Sequence, residues 1–376
     1  MVKIGVIGAG AMGSAHCKSI AALPETELVF VCDRRPEKAS AIAGELGVPA
    51  FTDSDQAIAS SLAQAVLIAT PHHDHAPIAI AAFSAGLGAL VEKPLSVTVG
   101  DADAMIEAAG NLPFAVMYQT RTEPYFRKAV ELSKEIGELR RASLVTAWYR
   151  NQAYYDSGGW RATWAGEGGG VLINQAPHYL DFLVELTGLP VKLRAETRTR
   201  FHDMETEDEA WATMEYANGA HGYLYATTGE APPETTIELA GDRGKLLIRG
   251  EAIRFWSLKD NLAEFTRQAR GMWDSPEWRD IPIEMPDPAE PRHHAAVIRN
   301  FARFCMGHEP LIAPGHEGLA AVELINAIYL SAFVEDAVHI PVDRPAIKAV
   351  IQAHIRQSKP KERIAEQSAT DPKFLP

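Results

Sequence analysis

Val2-Lys3-Ile4-Gly5-Val6-Ile7-Gly8-Ala9-Gly10-Ala11-Met12-Gly13 is the stretch whose reading decides the fold. Its first six residues are a short apolar strand. They run without a linker into G-x-G-x-x-G, after which the chain reads as a helix to about Leu23. In that context the glycines allow a tight turn, close approach of a pyrophosphate to the backbone, and helix-on-strand packing, with the anion at the helix N-terminus. A second strand, Leu28-Val29-Phe30-Val31-Cys32, ends at Asp33, twenty residues past Gly13. A carboxylate there accepts hydrogen bonds from ribose hydroxyls and repels a 2′-phosphate, so NAD is the expected cofactor. Arg34 and Arg35 follow at once, and a guanidinium can stack on adenine or hold a 2′-phosphate, which leaves NADP as an alternative.

Outward from this stretch, strands and helices keep alternating. A helix spans about Pro36 to Leu46, a strand lies near Ala50-Phe51, and another runs from Ala65 to Ala69. After Thr70-Pro71-His72-His73-Asp74-His75 come a helix to Ala85, a strand Ala89-Leu90-Val91 and then Glu92-Lys93-Pro94. Such alternation implies a parallel sheet covered on both faces, with ligands outside the carboxyl ends of its strands. Thr70, His75, Lys93 and Arg121 all fall at such ends. The histidine cluster is contiguous and lacks a distant ligand of matching spacing, so no metal site is expected. Lys93 precedes proline, which favours an extended backbone and raises the chance of a cis bond aiming the ammonium into the crevice.

Beyond Gly137 the pattern changes. Arg141 to Arg150, Arg194 to His202, Glu209 to Tyr216, His221 to Thr227, Thr235 to Ala240 and Lys245 to Ile248 read as strands joined by turns such as Asn218-Gly219. Helices are expected after Pro177, His293 and Glu317. The fold class is therefore α/β plus α+β: a doubly wound Rossmann sheet over residues 1–122, then an α+β unit over 123–356 on a largely antiparallel open sheet, with C-terminal helices in 293–337. A polar tail, 357–376, is expected to be disordered or to dock on a partner subunit.

Within the second unit lies Gly168-Gly169-Gly170-Val171-Leu172-Ile173-Asn174-Gln175-Ala176-Pro177-His178-Tyr179-Leu180-Asp181. Helical spacing puts Asn174, His178 and Asp181 on one side. The same residues also suit a plain reading, with Asn174 as an N-cap, Pro177 in the first turn and His178 as a core histidine. Before this run, Tyr154 to Glu167 is a loop rich in aromatics and glycine. Tyr155, Trp160 and Trp164 offer ring faces suited to the C–H surface of a sugar, and Arg161 a cation for hydroxyls.

Composition sets outer bounds. With 376 residues, two domains are expected. A net charge of −13 argues against nucleic-acid binding, which needs a surplus of lysine and arginine. No apolar run approaches the ~18 residues of a membrane span and no signal peptide is evident, so the expected location is cytoplasmic. Cys17, Cys32 and Cys305 lack disulfide or metal spacing and are expected to be reduced, semi-buried thiols.

Gly8 to Gly13, Asp33, Ala69-Thr70-Pro71 with His75, Glu92-Lys93-Pro94, and Gly168 through His178 and Asp181 together resemble the glucose-fructose oxidoreductase/inositol dehydrogenase (Gfo/Idh/MocA) family. The resemblance runs nearly the whole chain, to Glu323–Ser331. It implies hydride transfer between NAD(P) and a secondary alcohol of a sugar, glycoside or cyclitol, with Lys93 binding the reacting hydroxyl and His178 as acid/base. Inositol dehydrogenases of the family have an aspartate where Asn174 stands, and an amide cannot relay a proton. The expected cofactor residues are Gly8, Gly10, Ala11, Met12, Gly13, Asp33 and Arg34, with Thr70, Pro71, His72, His75, Glu92, Lys93 and Gln119. Catalysis is expected from Lys93, His178 and Asn174, and substrate contacts from Arg121, Tyr155, Trp160, Arg161, Trp164 and Asp181. A homo-oligomer, dimer or tetramer, is expected through the open sheet face. Two alternatives use the same residues or none: transient oxidation by tightly held NAD giving net cleavage, elimination or epimerisation, and a non-catalytic NAD-binding regulator.

Overall fold

The computed structural model describes residues 1–361 and Ile364. Six strands form the first sheet: β1 (Val2–Ile7), β2 (Thr26–Cys32), β3 (Ala50–Phe51), β4 (Ala65–Ile68), β5 (Gly88–Val91) and β6 (Phe114–Val116). Their order is β3-β2-β1-β4-β5-β6, every pairing is parallel, and the sequence order reverses beside β1. β4 and β5 are wholly buried, as strands covered on both faces must be.

The glycine turn shows why the motif is strict. Gly8 has φ +101°, and a Cβ on Gly13 would sit 1.7 Å from the Gly8 carbonyl oxygen, so the helix Ala11–Ala22 can start only where both side chains are absent. A Cβ on Gly10 would meet nothing within 4 Å and would project into open space at the helix start.

The second sheet has nine strands: β7 (Leu139–Tyr149), β8 (Lys192–Arg198), β9 (Glu209–Glu215), β10 (His221–Thr227), β11 (Gly229–Gly241), β12 (Gly244–Arg249), β13 (Ala252–Leu258), β14 (Trp278–Ile281) and β15 (Val338–His339). They lie in the order β14-β13-β12-β11-β7-β10-β9-β8-β15. All pairs are antiparallel except β7 with β10. Along β12 buried residues alternate with partly or fully exposed ones, so one face is packed and the other is more open.

Several elements go beyond those expected from the sequence, β15 and the short helix Gln152–Asp156 among them. β13, β14 and the helices Leu262–Gln268 and Arg344–Gln357 extend the second unit. The last of these carries ordinary start signals: Asp343 accepts from Ala346 N–H and Pro345 sits in the first turn. The helix His293–Cys305 comes late in the chain, yet its Val297, Ile298 and Phe301 belong to the core over β1 and the helix Ala11–Ala22. Gly315–Val334 is long and apolar enough to cross a membrane by composition, which corrects the expectation that no run approaches that length. It is a core helix, packed against β8, the helix Val99–Ala109 and the helix Pro177–Thr187. Cys17 and Cys32 are fully buried free thiols, pushed up to about 12 by burial, while Cys305 is partly exposed. Most of the tail expectation lies outside the described residues.

Candidate active site

A cavity of about 1290 Å³ opens at the carboxyl ends of β1, β2, β4 and β5 and extends over the loop following β7. Gly8, Gly10, Ala11, Met12, Asp33, Arg34, Thr70, Pro71, Glu92, Lys93 and Gln119 line one lobe, and Tyr154, Trp160, Arg161, Asn174 and His178 line the other. Of the eleven buried side-chain polar atoms lacking a hydrogen-bond partner among the described residues, seven belong to cavity-lining residues: Thr70, Gln119, Trp148, Arg150, Arg161, Gln175 and His178. Buried donors and acceptors are ordinarily satisfied, so this concentration marks a place built to receive a polar ligand.

The dinucleotide lobe has the geometry the glycine motif requires. Asp33 accepts from Ala9 N–H at 2.9 Å and from Arg35 N–H at 2.9 Å, which ties the end of β2 to the glycine turn. Burial alone would raise its pKa, but those backbone donors and the Arg35 guanidinium hold it below the usual carboxylate value. With the space at Gly10, the orphaned Thr70 hydroxyl and an ionised Asp33, the lobe fits NAD.

The histidine cluster joins the two halves. His72 Nδ1 lies 2.8 Å from the Glu167 carbonyl, and His73 Nε2 lies 2.9 Å from the Trp164 carbonyl. His75 is fully buried, with its ring nitrogens 2.9 Å from the Pro94 carbonyl and 3.0 Å from that of Thr70. His72 and His75, expected at the cofactor, both line the cavity described above, and these contacts also tie the turn to Pro94 and to the loop before the glycine run.

Lys93 reaches from one half to the other. The Lys93–Pro94 bond is cis, and Nζ donates to the Asn174 backbone carbonyl at 2.5 Å. Burial lowers the ammonium pKa, opposed by Glu92 and Glu167 and reinforced by Arg161 and Arg150. Glu92 accepts from Lys93 N–H at 3.0 Å and faces His16 Nε2 at 2.6 Å. Burial would raise the Glu92 pKa, but His16, His294 and Lys93 hold it well below the usual range, as a carboxylate.

The segment after the three glycines differs from the expected single helix. A short turn, Val171–Asn174, ends at Gln175, and a separate helix, Pro177–Thr187, starts after Ala176. Asn174 therefore does not cap that helix; its amide donates to buried Glu167, and its side-chain oxygen accepts from Tyr154 OH at 3.5 Å. Pro177 does occupy the first turn. His178, one residue on, faces the cavity with Nε2 3.2 Å from the Gln119 amide nitrogen and Nδ1 free of any partner among the described residues. Burial and the nearby Lys93 charge push its pKa down to about 3.

Four expected substrate residues lie elsewhere. Asp181 is 3% exposed and takes a bidentate pair from Arg121, at 2.9 Å from Nε and 2.7 Å from the second terminal nitrogen. Arg121 also bonds Glu317 and so is a buried structural cation rather than a ligand contact. A helical repeat of three sets Asp181 near His178 in sequence, but its side chain pairs with Arg121 in the 3₁₀ turn Gln119–Thr122 that follows β6. Tyr155 is buried, donating to Thr228 at 2.6 Å, and Trp164 is buried among Tyr329, Phe333 and His354. Gly13 packs against Gly8 and does not line the cavity. Conversely, Trp148, Arg150, Tyr154, Gln175, Tyr179 and His294 line it without having been singled out. Glu167, buried behind Asn174, is a further omission; its pKa is raised by burial against the pull of Arg161. A carboxylate directly before three glycines was the one available signal.

Residues 2–119 match the family model described as an oxidoreductase family with an NAD-binding Rossmann fold, and residues 126–247 match the Gfo/Idh/MocA C-terminal domain. Among similar proteins, the UDP-N-acetylglucosamine 3-dehydrogenase of Acidithiobacillus ferrooxidans is 26% identical over 89% of this chain and 99% of its own. The levoglucosan dehydrogenase of Pseudarthrobacter phenanthrenivorans is 28% identical over 66% of this chain and 74% of its own. The WlbA dehydrogenase of Bordetella pertussis, solved with NADH and UDP-GlcNAcA, superposes with a TM-score of 0.76 at 27% identity, covering 91% of this chain and 99% of that one. Glycine turn, strand-end carboxylate and both matched models agree: the chain belongs to the Gfo/Idh/MocA family of NAD-binding oxidoreductases.

Proposed function

We propose that the protein is an NAD-dependent dehydrogenase of a secondary alcohol on a sugar or glycoside, with Lys93 and His178 as its acid/base pair. The observation that carries this reading is the reach of Lys93 Nζ from the end of β5 to the Asn174 carbonyl, at the turn leading into His178. It sets a cation and an imidazole from different halves of the chain on the wall of one cavity that is also lined by Gly10 and Asp33. Relatives named as sugar dehydrogenases support the substrate class.

Bound NAD supplies the hydride acceptor. The chain's own residues manage the proton. As an ammonium, which Glu92 and Glu167 favour against the opposing effect of burial, Lys93 donates to the substrate oxygen and stabilises the negative charge that grows there. His178 is neutral at any working pH because burial disfavours its charged form, so a ring nitrogen is free to accept the hydroxyl proton. The positive end of the helix Pro177–Thr187 acts in the same direction. In the tautomer that leaves the unpartnered Nδ1 to take the hydroxyl proton, Nε2–H donates to the Gln119 side-chain oxygen, which has no other partner among the described residues. Asn174 is held by Glu167 and Lys93 and positions the turn rather than moving a proton. We place the enzyme in the cytoplasm, as a homo-oligomer through the open face of the nine-stranded sheet, where Tyr223 is 42% exposed.

The test is NADH formation at 340 nm with NAD and a panel of sugars, uronates, glycosides and cyclitols. Accumulation of NADH with a sugar alcohol supports the reading. A modified sugar released with no net NADH would replace it by a redox-neutral reaction.

A further inference from the structure

Along the substrate lobe, aromatic rings and guanidinium groups alternate. The Arg150 guanidinium lies 5.4 Å from the Trp148 ring centroid and 5.0 Å from that of Tyr154; the Arg161 guanidinium lies 4.4 Å from Tyr154 and 4.8 Å from Trp160. All five residues line the cavity, and both arginines add to the positive field around Lys93. The two cations are not equivalent. Arg161 has Glu167 at 4.0 Å and donates to Tyr154 OH at 2.7 Å. Arg150 has no carboxylate partner among the described residues, only its neighbour's backbone carbonyl at 3.1 Å, and its Nε is buried with nothing to donate to. Its backbone is pinned on both sides, donating to the Thr228 carbonyl and accepting from His202 Nε2 at 2.7 Å.

A guanidinium held in place by ring stacking and backbone, with donors left over, is arranged to meet an anion. A neutral sugar would leave that charge uncompensated in a partly desolvated site, which is costly. We infer that Arg150 selects a substrate bearing an acidic group, a carboxylate or a phosphate on the sugar, and holds that group while the reacting hydroxyl lies toward Lys93. This rests on the dehydrogenase reading for its chemistry but not for its binding.

The full-length, NAD-loaded protein separates the two. Glucose, glucuronate and glucose 6-phosphate are compared by calorimetric binding and by NADH formation, in wild type, Arg150→Gln and Arg150→Lys. One acidic sugar should bind about ten- to a hundred-fold more tightly than glucose, the range of a charged hydrogen bond. Which acid wins distinguishes carboxylate from phosphate. Arg150→Gln abolishes that preference through KM and leaves kcat and glucose binding within about two- to three-fold, while Arg150→Lys restores part of it. Equal binding of all three, no millimolar binding of either acid, or a preference unchanged in Arg150→Gln would overturn it. NADH formed from glucose without acidic preference would sink this inference and spare the dehydrogenase; acidic sugars that bind without forming NADH would do the reverse.

Discussion

The two lobes of the cavity are built on different principles. The dinucleotide lobe relies on backbone: the Gly8–Gly13 turn, helix N–H groups, and one short carboxylate side chain tied to the turn. The substrate lobe relies on groups whose direction depends on partners elsewhere in the chain, such as Asn174 with Glu167 and the Gly170–Leu172 backbone with Glu207. A function carried by local backbone geometry is resistant to context. One carried by side-chain pairing is set by context, and four residues with the right chemistry and spacing face the core instead of the cavity.

Given that contrast, substitutions in the two lobes fail in different ways. The largest effect is expected for Arg121→Ala, which strands the carboxylate of Asp181 in the core beside Glu185; breaking a buried pair costs about 3–5 kcal/mol. Denaturant unfolding should show this, and a protein that keeps its stability but has a raised KM would return Arg121 to the substrate. Gly13→Ala comes next. Its Cβ would overlap the Gly8 carbonyl oxygen, so the turn must shift, and titration of NADH fluorescence should give at least about a hundred-fold weaker binding, roughly 2.7 kcal/mol. Unchanged NADH affinity would show that the turn does not set the cofactor site.

Glu207→Gln probes the scaffold behind the glycine run. Glu207 accepts from Gly170 N–H at 3.0 Å, Leu172 N–H at 3.0 Å and Tyr329 OH at 2.8 Å, and the amide loses one acceptor, for an expected cost of about 1–3 kcal/mol. Burial pushes its pKa up to about 7, above the unfolded value. A raised folded pKa means that this group's contribution is complete below the unfolded pKa and is lost as pH rises toward and through 7. The decline in melting temperature of wild type between about pH 5 and 8 should therefore flatten in Glu207→Gln; an identical slope would put the titrating group elsewhere. The smallest effect is a pH profile. Because His178 is pushed down to about 3, kcat/KM should show no acid limb near the ordinary histidine value of about 6.5, whereas an exposed histidine base would produce one there.

The same contrast explains how much was legible. The parallel sheet, the glycine turn, Asp33 and the strand ends carrying Thr70 and Lys93 follow from alternation and from motifs a few residues long, and the antiparallel character of the second sheet follows from its turn-separated strands. His178 on the cavity wall needs only the spacing from Pro177. Asn174 is no cap because the chain breaks at Gln175 and Ala176, where the turn docks onto Glu167 and Lys93, and such a break leaves no trace in helical periodicity. Trp164 and Tyr155 resemble substrate contacts in sequence because aromatics in a glycine-rich loop ordinarily keep their faces accessible; the C-terminal helices, remote in sequence, cover Trp164. Arg150 directly follows β7 and has no motif at all; only its place against the rings of Trp148 and Tyr154, with no carboxylate partner among the described residues, marks it.

In the proposed reaction, Lys93 and His178 act together across the two halves. Single-turnover NADH formation, with saturating NAD and the best sugar of the panel, measures this step apart from release of products. Lys93→Met and His178→Ala should each slow the burst by about 10²–10⁴-fold, with NADH affinity unchanged within a few-fold. A burst at the wild-type rate in either variant would contradict the assignment.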